Sequence, residues 1–292
     1  MNNSFFDKVR ALILAVGSLL LLICIQIAGI YAFALVCKLV FGVNYSDNPV
    51  LMAVFHIIYA IVTVFVFGML RRSYTSYGTM ADSHYDNVTA VAGQQERSEK
   101  SGSRAGSVLR LIILGTGIQA FAYGILNIVY EFAADTAVME SYKSTINNLN
   151  GNSTYLIFLY TMLLAPAAEE LVFRGVIFDA LSTAFPFMAA NILQAALFGL
   201  YHGNIVQFVY AFIIGMVLGL VRYRGGKLTH TIGVHMSVNI SGIIIVPVIA
   251  YVISSLTGNG VAAYCIVSLC GLIIIIEYIR KTCYNIKDSI RI

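Results

Sequence analysis

Charge is what this sequence has least of. Asp, Glu, Lys and Arg make up 11% of its 292 residues, hydrophobic residues make up 59%, and the mean hydropathy is +0.83. A soluble domain spends roughly a quarter of its residues on charge to cover its surface, so a water-soluble globule is excluded. The net charge of +4 gives no case for a nucleic-acid partner. Cysteine pairing is missing as well: Cys24, Cys37, Cys265, Cys270 and Cys283 show no C-x-x-C spacing, and four of them lie in apolar runs. They read as small buried hydrophobes. The N-terminus reads as a retained first span and not as a cleavable leader. Lys8 and Arg10 precede an apolar stretch from Ala11 to about Val36, far beyond the roughly 7–15 residues of a signal-peptide core.

What the chain does have is long apolar runs. A spanning helix needs roughly 20 mostly apolar residues. Such runs lie at about 11–36, 50–70, 108–130, 154–172, 187–203, 205–221, 231–252 and 261–279. The expected fold is therefore all-α: a polytopic transmembrane helical bundle of about eight spans, forming a single membrane domain over 1–292. A polar segment at 71–107, containing His84, reads as a flexible cytoplasmic loop. The segment 132–153 reads as a short interfacial helix. With an even number of spans and both termini cytoplasmic, 16 of the 18 Lys and Arg residues fall on the cytoplasmic side, leaving only Lys38 and Lys143 outside. This is the asymmetry that the positive-inside rule requires. The chain is expected in a membrane as a multi-pass protein, the plasma membrane if it is bacterial.

Ionisable residues inside spans are costly and mark function or a partner. One dense exception stands out here: Ala165-Pro-Ala-Ala-Glu169-Glu170-Leu-Val-Phe-Arg174. On a helix Glu170 and Arg174 pair at i, i+4, while Glu169 points about 100° away, free to face a cavity. Adjacent carboxylates in a poorly solvated place oppose each other's ionisation, and an arginine holds one of them ionised; this can poise the other as a general base. An interfacial charge cluster ending a span is the bland alternative. Two further polar exceptions follow. Phe198-Gly-Leu-Tyr-His202 ends the fifth run, and His235-Met-Ser-Val-Asn239 stacks two polar residues at i, i+4 in the seventh. His230, beside Lys227, reads as interfacial.

The ordered set Glu-Glu-x-x-x-Arg, Phe-x-x-x-His and His-x-x-x-Asn resembles the CAAX prenyl protease and bacteriocin-processing (CPBP, or Abi) family of intramembrane peptidases. The resemblance covers about 155–245, the expected catalytic core. It implies that Glu169, with His202, activates a water for attack on a scissile carbonyl. It also implies that His235 and Asn239 donate to the oxyanion, and that Glu170 and Arg174 hold Glu169 in place. The family has been described both as metal-dependent and as metal-independent. A divalent metal such as zinc fits Glu169, His202 and His235 by ligand type, but the H-E-x-x-H helix that makes zinc the default is missing. The favoured expectation is glutamate-activated water with no required cofactor. The expected partners are a peptide or protein substrate, lipidated or not, and membrane lipid.

Two other function classes stay open at this point. One is a non-catalytic member of the same fold, acting in bacteriocin immunity or as a scaffold. The other is an ion-coupled transporter using the carboxylates, against which no inverted repeat is visible. Depth counting adds a conflict: Glu169 falls near the cytoplasmic end of the fourth run, and His202 near the far end of the fifth.

Overall fold

The computed structural model describes residues 5–76, 104–151, 155–225 and 227–289. Of the expected polar loop, residues 77–103, with His84, lie outside the described residues. Among the described residues there is no strand, and nine helices follow one another: α1 Phe5–Val36, α2 Pro49–Ser76, α3 Arg104–Ala133, α4 Ala137–Gly151, α5 Tyr155–Ser182, α6 Phe187–Tyr201, α7 Ile205–Gly225, α8 Leu228–Thr257 and α9 Gly260–Ser289. Seven of these are long and apolar enough to cross a membrane. The chain is a polytopic α-helical membrane protein. The helix expected at 132–153 is α4.

The span expected fifth, 187–203, is the short one. Helix α6 has 15 residues, about 22 Å of rise against a hydrocarbon core of about 30 Å. The run read as ending at 172 is longer than expected. Helix α5 continues through Ser182, so Glu169 sits midway along it rather than at its end. The extension carries Arg174 and Asp179, yet every residue from Val172 to Leu181 is buried. These charges face protein, which is why hydropathy stops short of them.

Helix α5 is not uniform. It widens into π turns at Tyr160–Leu164 and Phe173–Phe178, on either side of Glu169. The first lies two residues before Pro166, and a third π turn, Ser241–Ile245 in α8, lies two residues before Pro247. A proline inside a helix lacks the N–H for its i−4 carbonyl, and its ring crowds that carbonyl. A π turn just ahead of it lets the helix continue with altered hydrogen bonding, and such turns are frequent at functional sites.

The helices fall into two compact units. The first comprises α1, α2, the end of α4, α5, α6 and α7 through Leu220. Its core is the middle of α5, with Phe173, Val176, Ile177, Phe178 and Leu181 fully buried. Helices α6 and α7 form an antiparallel hairpin. Asn191 Nδ2 donates to the Met216 carbonyl at 3.0 Å and Gln194 Nε2 to that of Gly215 at 2.8 Å, while Gly199 packs against Phe208. The second unit comprises α3, the start of α4, the end of α7, α8 and α9. There α3 lies against α9 and α8, with the Thr116 and Ser241 hydroxyls hydrogen-bonded at 2.8 Å.

Candidate active site

In the first unit α5 delivers the two glutamates in different directions, as a helix must for neighbouring residues. Glu170 turns into the core. Arg174 Nη1 donates to its Oε1 at 2.6 Å, and both side chains are 0% exposed. Arg174 makes two further contacts: Nη2 donates to the Gly215 carbonyl at 3.4 Å, and the guanidinium lies over the Phe198 ring, 4.5 Å from its centroid. A planar guanidinium suits this combined fork-and-stack role in a way an ammonium does not. Burying an ion pair is expensive, and removing one partner is destructive because the other is left charged and dry. The pair is thus a rigid clasp at the centre of the unit.

Phe198 joins the first motif to the second. Its ring lies between Arg174 and Phe173, whose ring centroid is 5.0 Å away, and its carbonyl accepts a 2.8 Å hydrogen bond from His202 Nδ1. A carbonyl cannot donate, so Nδ1 carries a proton, and in the neutral ring Nε2 keeps its lone pair. The sequence His202-Gly203-Asn204 forms the turn between α6 and α7. His202 caps α6, and Gly203 takes the left-handed conformation, φ 69°, that favours glycine. Asn204 Oδ1 accepts from the Val206 and Gln207 amides at 2.9 and 3.3 Å, starting α7.

This arrangement removes the depth conflict. From the Thr183–Pro186 connection, Glu169 lies 13 residues back along α5 and His202 lies 15 residues forward from Phe187. At 1.5 Å per residue both are about 20 Å from that connection.

Glu169 is half-buried and faces a small cavity lined by Leu22, Tyr59, Thr63, Tyr160, Val172 and Tyr201 among others. The space open to a water centre is about 10 Å³, about enough for one molecule. The carboxylate lies within electrostatic reach of the Tyr59, Tyr160 and Tyr201 hydroxyls. The Tyr59 and Tyr201 hydroxyls are hydrogen-bonded to each other at 3.0 Å. Sequence reasoning passes over Tyr59, Thr63, Tyr160 and Tyr201. It also passes over His56, whose Nδ1 donates to the Met52 carbonyl at 2.7 Å and whose ring packs edge-on against Tyr160. The available signal was the spacing His56, Tyr59, Thr63, at i, i+3 and i+7 on one face of an otherwise apolar helix.

His235 and Asn239 stand one turn apart on α8, in the second unit, with His235 buried and Asn239 half-buried. Among the described residues no three His, Cys, Asp or Glu side chains are grouped closely enough to hold a metal ion.

Residues 151–241 match the family described as Type II CAAX prenyl endopeptidase Rce1-like. The match runs from the last residue of α4 through the first part of α8 and contains all three motifs. No curated protein and no solved structure matches the chain.

Proposed function

From an Rce1-like domain over residues 151–241, we propose that this chain is an intramembrane endopeptidase acting on a membrane-associated peptide or protein. A prenylated C-terminus is the first substrate class to test. The observation that carries the proposal is the half-buried Glu169 beside a water-sized cavity, next to the buried Glu170–Arg174 clasp.

Glu169 takes a proton from a water as the water oxygen bonds to the scissile carbonyl carbon. His202 shares this task through Nε2, which its fixed tautomer leaves able to accept a proton. The carbonyl oxygen becomes an oxyanion, and His235 and Asn239 donate to it, where preorganised donors in a water-poor site are worth most. Collapse of the tetrahedral intermediate breaks the C–N bond. The proton held by the Glu169–His202 pair passes to the leaving amine, giving a free amine and a new carboxyl terminus. Glu170 and Arg174 hold α5 so that Glu169 keeps its direction. Glutamate-activated water is the favoured reading because the H-E-x-x-H helix that makes zinc the default is missing.

The Lys and Arg distribution supports cytoplasmic termini. A hairpin returns to the side it left however deep it reaches, so the short α6 leaves the even parity implied by the Lys and Arg distribution intact.

The test is cleavage of a quenched prenyl-peptide and peptide library by purified protein, wild type beside Glu169→Ala, with and without chelator. Cleavage lost in the mutant and kept with chelator is the expected result. Equal cleavage by both proteins would sink the site, and loss with chelator would point to a metal.

A further inference from the structure

The match to the Rce1-like family starts at residue 151, yet one wall of the Glu169 cavity comes from α2, far outside it. Resting on the reading of Glu169 as the base, we infer that Thr63 and Tyr59 of α2, with Tyr201 of α6, position the nucleophilic water. This makes the N-terminal half of the chain part of the chemistry rather than only its support.

Three observations carry the inference. Thr63 is 1% exposed, and its Oγ1 is buried without a hydrogen bond. It feels the neighbouring Tyr59 hydroxyl but stands outside hydrogen-bonding geometry with it. A buried hydroxyl without a partner is unfavourable and rare, and it points to a ligand or water in the space it faces. That space is the Glu169 cavity, with room for about one water.

The hydrogen inventory also fits. The Tyr59 and Tyr201 hydroxyls hold two hydrogens between them, and their 3.0 Å bond uses one, so one is left to donate. Thr63 brings a second donor, whereas Glu169, read as the base, only accepts. A single water can donate to Glu169 and accept from Thr63, with the tyrosine pair alongside, which leaves its second lone pair for the scissile carbonyl. It is then aligned with one O–H on the base, as general-base attack requires. The third observation is the placement. The polar side chains His56, Tyr59 and Thr63 share one face of α2, and that face meets α5 and α6 through the Tyr160 ring and the Tyr201 hydroxyl. Polar residues in a spanning helix are seldom gathered in this way without a role.

The test has two arms on the full-length protein. In the kinetic arm, a quenched farnesyl-peptide is the probe for wild type, Thr63→Val, Thr63→Ser, Tyr59→Phe and Glu169→Ala. Thr63→Val keeps the shape and removes the hydroxyl, and is expected to lower kcat about tenfold at unchanged KM. Thr63→Ser is expected to restore the rate, which a purely packing role of the threonine would not do. Tyr59→Phe is expected to act like Thr63→Val. Wild-type kcat in Thr63→Val would overturn the inference.

The second arm needs no substrate: a water-resolving structure of the same protein. Density for one water bonded to both the Glu169 carboxylate and Thr63 Oγ1 is expected. A dry cavity, or a water bonded to neither, would overturn the inference by itself. Cleavage by Glu169→Ala equal to wild type would instead strike the peptidase site while leaving the water placement to be judged by its density.

Discussion

The two units differ in the charge and polarity of what is buried between their helices. The second packs by closeness: at Gly124 of α3 an added Cβ would sit 2.5 Å from the Tyr264 carbonyl and from Ser268 Cβ of α9, so the two backbones touch there. Small residues that let helices approach are the usual currency of association in lipid, where burying apolar surface gains little between helices. The first unit spends polar groups instead: a dry Glu170–Arg174 pair, a Gly215 carbonyl accepting from Arg174 and Gln194, and a tyrosine pair beside Glu169. Tight small-residue seams make a rigid support. Buried polar groups cost stability unless satisfied, and they gather where the proposed reaction takes place.

That contrast can be broken from either side. The largest effect is expected at Glu169→Ala, with cleavage falling at least about a hundredfold while the folded fraction, read by gel filtration in detergent, is unchanged. Next comes Arg174→Ala, which strands a buried carboxylate and should cost about 3–5 kcal/mol in detergent unfolding. A Glu170→Gln/Arg174→Met double variant should recover much of that loss, and no recovery would show that the pair is not the clasp described. In the second unit, Gly124→Leu forces α3 from α9 and should cost about 1–3 kcal/mol, seen as a lower Tm. If Gly124→Leu were harmless, the close-packed seam would not be what holds that unit. The smallest effect belongs to the exposed Glu277, paired with Arg280 at 2.9 Å and Lys281 at 3.2 Å. Glu277→Ala should leave Tm unchanged, because solvent-exposed ion pairs contribute little.

Most of the fold was legible because lipid imposes a plain rule, a run of apolar residues about 20 long. The rule fails where a helix faces protein instead of lipid. Residues 173–182 look like a loop because Arg174 and Asp179 are charged, yet they continue α5 in the core of the first unit. Helix α6 looks like a full span because Phe187 to Tyr201 is apolar, but its length is cut by Pro186 before it and Gly203 after it. For the candidate site, the spacing of Glu169, Glu170 and Arg174 was readable because it lies within two turns of one helix. Tyr59 and Thr63 were not readable, since tyrosine and threonine pass unnoticed in an apolar run. Their meeting with Glu169 and Tyr201 is made more than 100 residues away in sequence.

The paired π turns of α5 bear on how this chain tolerates change in length. A single-residue deletion in an ordinary helix turns everything beyond it by about 100°, which here would swing Glu169 out of its cavity. Within Tyr160–Leu164 the chain already carries one residue more per hydrogen-bonded turn than an α-helix needs. Removing one there would leave the Tyr155 and Glu169 ends facing as they do now, at the cost of restoring the crowding at Pro166 that the π turn relieves. The same deletion in Ala165–Val172 has no such slack. Helix α5 therefore contains its own slack for a one-residue deletion, placed one turn ahead of the residue whose direction matters most.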